Sequence, residues 1–174
     1  MTTKDQVYKW LCYALGVLPV WLVETQILNR VPLFGVIPVL LPLAAVAVGL
    51  WEGAWEGAVF GLCLGVIADA TYPGAPGGMT LGLCLLGMLT GLLSQYRVRQ
   101  TFAGYALCAA VSMGLLELGR IAWCLFTRLG PLPAIGMVAL KEGLWSLCFT
   151  PLIYPLFKLI CYKVGSQKPG GAYG

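Results

Sequence analysis

The stretch Glu52-Gly53-Ala54-Trp55-Glu56-Gly57-Ala58-Val59-Phe60-Gly61-Leu62-Cys63-Leu64-Gly65-Val66-Ile67-Ala68-Asp69 decides how the chain is read. Gly53, Gly57, Gly61 and Gly65 recur at every fourth residue, and the next step lands on Asp69. In water each interior glycine costs a helix about 1 kcal/mol relative to alanine. In a bilayer the backbone has no competing partner, so the helix forms and the glycines admit a second helix at close range. Four residues advance about 400°, so the stripe winds slowly and suits the right-handed crossing of GxxxG pairs, about −40°. The glycines therefore read as helix packing. Asp69 reads differently: an ionisable residue near a span end is either wet at the interface or functional.

Composition supports the membrane setting. Of 174 residues, 59% are hydrophobic and 10% are charged, against about 25% charged in ordinary soluble domains. Apolar runs near the length of a membrane span recur along the chain, which points to one polytopic membrane domain. The seven cysteines stand singly in apolar segments with no CxxC, and there is no histidine. They read as small hydrophobes, so neither a metal site nor a disulfide framework nor a cofactor is expected. The net charge of +4 reflects topology and asks for no nucleic acid.

Working outward, six spans are expected. The first covers 7–28, after a short polar N-terminus at 1–6, with Pro19 as a kink and Glu24, Gln26 and Asn29 making its far end polar. Pro32 and Gly35 mark a turn, and a second span runs from 34 to 51 with Pro38 and Pro42 in its first half. Trp51 and Trp55 bracket the link to the glycine-stepped third span at interface depth. Two prolines and three glycines within 71–78 form the strongest turn signal. The fourth span, 78–96, carries Gly78, Gly82, Gly87 and Gly91, so spans three and four are expected to form a glycine-lined hairpin.

The fifth span, 102–126, places Glu117 and Arg120 three apart and hence on one helix face. That spacing reads first as a structural pair and second as a pair facing a partner or ligand. After a Gly-Pro break near 130, residues 134–140 read as an interfacial stub, and the sixth span as 141–161, interrupted by Pro151 and Pro155. The tail, 163–174, reads as disordered and cytoplasmic. With both termini inside, Lys4, Lys9, Arg97, Arg99, Lys158, Lys163 and Lys168 lie inside, and Arg30, Arg128 and Lys141 outside. The excess of basic residues selects N-in, C-in.

No G-x-S-x-G, P-loop or H-E-x-x-H occurs, and the acidic residues are too few at mid-depth for an ion relay, so no enzyme is expected.

Four stretches resemble the MreD family of rod shape-determining membrane proteins: Gln26-Ile27-Leu28 with Val31-Pro32-Leu33-Phe34-Gly35-Val36-Ile37-Pro38; Leu50-Trp51-Glu52-Gly53 with the stepped glycines; Gly65-Val66-Ile67-Ala68-Asp69; and Pro76-Gly77-Gly78-Met79-Thr80-Leu81-Gly82. Val39 stands where that family commonly has an aspartate. The resemblance implies a non-enzymatic member of the cell-elongation machinery in the bacterial cytoplasmic membrane. Its implied partner is an MreC-like bitopic protein, with indirect links to an MreB-like filament and to the rod-type glycosyltransferase and transpeptidase. It also implies an all-α fold similar to the six-helix substrate-binding component of energy-coupling-factor transporters.

On the scaffold reading Gly53, Gly57, Gly61, Gly65, Gly78, Gly82, Gly87 and Gly91 carry helix packing or partner binding, and a homodimer stays open. Glu24, Asp69, Glu117 and Arg120 are the polar candidates, with Asp69 either capping the following loop or pairing with a partner cation. The alternative reading is a vitamin-transporter substrate component, whose pocket would be lined by Glu24, Gln26, Asp69 and Tyr72. A lipid-precursor enzyme or flippase would need a basic cleft, for which Arg120 is the one deep arginine.

Overall fold

Leu41-Pro42-Leu43-Ala44-Ala45-Val46-Ala47-Val48-Gly49-Leu50 is buried at every position. A helix apolar on all sides is stable only when surrounded, and in the computed structural model it is the hub of the bundle. The structure describes residues 3–28, 30, 38–71, 77–96, 101–127 and 132–165. In chain order these form α1 (Thr3–Leu22), continued by a π-helical stretch (Val23–Leu28), α2 (Leu41–Glu52), α3 (Ala54–Thr71), α4 (Gly78–Tyr96), α5 (Phe102–Thr127), α6 (Leu132–Leu147) and α7 (Thr150–Gly165). The second helix packs against α1, α3, α4, α5 and α7.

The chain is all-helical among its described residues and has the make-up of a multi-pass membrane protein. Four helices are long and apolar enough to cross a membrane, namely α1 with its π-helical extension, α3, α4 and α5. Together α6 and α7 make a fifth candidate, bent by 49°. At 12 residues α2 extends only about 18 Å, against about 30 Å of hydrocarbon.

Several expectations are corrected here. The helix of the second span begins at Leu41 and is not continuous from 34, since residues 38–40 are not helical; Pro42 falls in its first turn, where a missing N–H costs least. Residues 31–37, which hold the expected turn at Pro32 and Gly35, lie outside the described residues. Pro19 sits inside a continuous α1, and the change of geometry comes at Val23, where the Thr25 hydroxyl donates to the Trp21 carbonyl at 2.8 Å. Residues 134–140 are no separate stub: α6 runs through them to Leu147. The break falls at 148–149 and Pro151 lies in the first turn of α7, where its missing N–H costs least, whereas Pro155 sits inside α7 without interrupting it.

The N-terminal segment is helical from Thr3, and α7 continues to Gly165, three residues into the expected tail, whose remainder lies outside the described residues. Gly53 belongs to neither helix. Its φ of 108° closes α2, with its N–H donating to the Gly49 carbonyl at 3.1 Å, a backbone conformation that favours glycine.

Antiparallel α3 and α4 pack at backbone distance. A Cβ on Gly57 or Gly61 would come within 3.0 Å of the Gly87 or Leu83 carbonyl, and one on Gly65 within 3.0 Å of the Thr80 backbone. Gly49 and Gly91 extend this contact to α2 and the start of α3. Around the hub, Trp51 stacks on Tyr105 with ring centres 6.0 Å apart and Tyr154 packs on both. Trp51 is therefore a half-buried packing residue, whereas Trp55 is 77% exposed.

Candidate functional site

An apolar bundle advertises function through its polar groups, since each must be matched or wetted. Among the described residues four polar clusters stand out, and they divide into two kinds.

Two clusters cap helices. The side chain of Glu24, carried by the π-helical turn, is fully buried, and its Oε2 accepts the backbone N–H groups of Leu40 at 3.0 Å and Leu41 at 3.2 Å. These are among the orphan donors that open α2, and a carboxylate also matches the positive end of the helix dipole. Beside it the Ser146 hydroxyl accepts the Val39 N–H at 3.0 Å, so α6 is tied to the same helix start. Asp69 does the equivalent for α4: Oδ1 accepts the Met79 N–H at 3.2 Å, and Oδ2 accepts the Thr80 N–H at 3.0 Å and its hydroxyl at 2.5 Å. Both carboxylates are occupied by helix N-termini. Residues 72–76 of the intervening loop, with Tyr72, lie outside the described residues.

Two clusters are ionic. At the opposite end of the bundle Lys9 pairs with Glu52 and lies 3.8 Å from Glu56, while the Tyr13 hydroxyl donates to Glu52 Oε1 at 2.7 Å. Lys9 is only 7% exposed. The sequence shows it only as one of the inside basic residues, because nothing local reveals that Glu52, 43 positions away, comes to meet it. The second ionic cluster joins α5 to α6. Arg120 Nη2 lies 2.8 Å from Glu117 Oε2, and Nη1 donates to Glu142 Oε2 at 2.7 Å. Glu142, 7% exposed, was missed from sequence, and its position one residue after Lys141 disguised it as a surface charge.

The two ionic clusters differ in setting. The Lys9 group is enclosed by α1, α2 and α3, whereas the Arg120 group sits on a hairpin with open sides. Fully buried residues on α5 end at Met113, and α6 packs chiefly on α5. Of the eight glycines singled out in the sequence, Gly57, Gly61, Gly65, Gly87 and Gly91 all press against backbone inside the α2–α3–α4 contact. A Cβ on Gly82 would meet the Leu116 side chain, Gly53 forms the turn described above, and Gly78 is exposed at the first residue of α4. The stepped stripe is thus consumed within the chain.

Among the described residues no group of three or more His, Cys, Asp or Glu side chains could hold a metal ion. Comparison of the chain with models of protein families, with curated proteins and with solved structures gives no match.

Proposed function

We propose that the chain is a non-enzymatic membrane scaffold of the MreD kind, acting in the bacterial cell-elongation machinery and holding a bitopic partner of the MreC kind. In this reading the protein lies in the cytoplasmic membrane as six crossing segments: α1, α2 with the residues before it, α3, α4, α5, and the bent α6–α7 pair. Both termini face the cytoplasm, and the Lys9–Glu52–Glu56 cluster lies near that face.

The observation that carries the reading is how the polar side chains are used. Glu24 and Asp69 both close helix ends beside a close-packed α2–α3–α4 core, a use that supports a packing role for them over the lining of a chamber. A rigid bundle whose polar groups fix helix positions suits a part that holds other helices in place. The substrate-component alternative needs Glu24 in a pocket, and Glu24 is fully buried against α2.

Affinity purification of the tagged chain from native membranes tests the proposal. The expected outcome is recovery of a single-span protein with an extracytoplasmic domain together with wall-synthesis enzymes, and cells depleted of the chain are expected to round up. Recovery of a bound vitamin with an ATPase module overturns it.

A further inference from the structure

A scaffold that holds another span needs a surface for it, and the α3 glycines are already covered by α4. A different stripe is open. Ala106, Ala110 and Gly114 follow one another at spacing four on α5, hence along one face. Ala106 is half-buried, Ala110 and Gly114 are exposed, and a Cβ on Gly114 would meet no atom within 4 Å. Leu107, Val111 and Leu118, each more than half exposed, flank it. Small residues in a row permit the close approach on which helix association in lipid depends.

Charge separates this face from an ordinary lipid-facing one. Glu117 follows Gly114 by three residues and stands at the end of the stripe. Two carboxylates, Glu117 and Glu142, share the single Arg120 guanidinium. Glu117 Oε2 lies 2.8 Å from Arg120 Nη2, and the same guanidinium also serves Glu142. The cluster therefore holds one more acidic than basic group, in surroundings where an unmatched charge is costly.

We propose that the Ala106–Ala110–Gly114 face of α5 receives a transmembrane helix of a partner protein bearing a lysine or arginine, whose charge completes the Glu117–Arg120–Glu142 cluster. The need for such a partner rests on the scaffold reading; the placement and the chemistry rest on the open stripe and the excess carboxylate.

The test uses the full chain in phosphatidylcholine vesicles and, as probe, a fluorescent Leu/Ala peptide of about 22 residues, long enough to span, with one lysine near one end. Energy transfer is expected to report association about tenfold tighter than for peptides with leucine or glutamate in place of lysine. Glu117→Gln brings the lysine peptide down to the leucine level. Gly114→Leu, which meets open space within the chain and so leaves the fold intact, weakens both. Equal binding of the three peptides, or binding indifferent to Gly114→Leu, overturns the proposal. So does self-association of the chain through this face, which would assign it to a second copy. In cells, equal recovery of a bitopic partner by wild type and Gly114→Leu overturns the surface and leaves the scaffold function standing. Peptide binding as expected, with no bitopic partner recovered, overturns the function and leaves the surface standing.

Discussion

Gly57 and Gly87 face one another so closely that a Cβ on Gly57 would lie 2.9 Å from the Gly87 carbonyl carbon, and one on Gly87 2.6 Å from that of Gly57. Neither obstacle is a side chain that could turn aside. Helices in lipid gain no hydrophobic drive from meeting, so their attraction is contact itself, and a single methyl group here separates two backbones.

Gly57→Ala and Gly87→Ala are therefore expected to destabilise the protein by about 2–3 kcal/mol each, the range for overfilling a close-packed site. The double variant is expected to cost less than the sum, because the second methyl enters a gap that the first has already opened. Gly136→Ala, with no atom within 4 Å of the added carbon, is the control and is expected to stay within about 0.5 kcal/mol of wild type. Steric-trap or denaturant unfolding in bicelles measures all four.

Asp69 joins α3 to the start of α4 through three hydrogen bonds. Asp69→Ala is expected to cost about 1–2 kcal/mol, as for the loss of a helix N-cap. Asp69→Asn, which keeps one acceptor oxygen, is expected to fall between the two. Faster amide exchange at Met79 and Thr80, with little change at Leu86, is the accompanying signature.

The contrast between Asp69 and Glu24 shows what the sequence could reveal. Asp69 ends a patterned helix and precedes a Pro-Gly turn, so its place at a helix end could be read locally, and the bounds of α4 and α5 follow from the same kind of punctuation; the choice between a loop cap and a partner contact stays open there, because the start of α4 that it caps lies across the turn. Glu24 reads as an exposed polar end because its partners, Leu40 and Leu41, lie beyond a turn whose course no periodicity records. The same holds for α2, whose apolar run suggests a full span although burial on all sides allows a half-length helix. The pairing of Arg120 with Glu142 depends on how α6 folds back, which the Gly-Pro break signals without fixing its register. Glycine spacing announces close packing, and only the fold says which helix takes it up.

Glu24 is expected to be the most sensitive carboxylate in the chain. Its Oε2 satisfies two N–H groups that begin the central helix, and both residues that donate them are buried. Glu24→Ala leaves two buried donors without that acceptor, at about 1–3 kcal/mol for each group. Glu24→Gln preserves an acceptor but gives up the charge at the helix dipole, and is expected to cost about 1 kcal/mol. Exchange of the Leu40 and Leu41 amides should rise sharply in the first variant and modestly in the second.

The Lys9–Glu52 pair gives the last prediction, because removing one partner strands the buried charge of the other. Both side chains are 9% exposed, so Lys9→Met leaves the Glu52 carboxylate buried with the Tyr13 hydroxyl but without its counter-charge. Breaking one side of such a pair costs about 3–5 kcal/mol. Adding Glu52→Gln removes the stranded charge, retains an acceptor for Tyr13, and is expected to recover more than half of that loss, since a buried ion pair contributes little net stability over an uncharged pair of similar shape. Unfolding of the two single variants and the double in the same bicelles measures the coupling. A double variant no more stable than the worse single would mean that the pair is not shielded from water as its burial indicates. The recovery also separates two roles for Lys9: a buried pin between α1 and α2 is rescued by the neutral pair, whereas a cation needed at the membrane face for orientation is not.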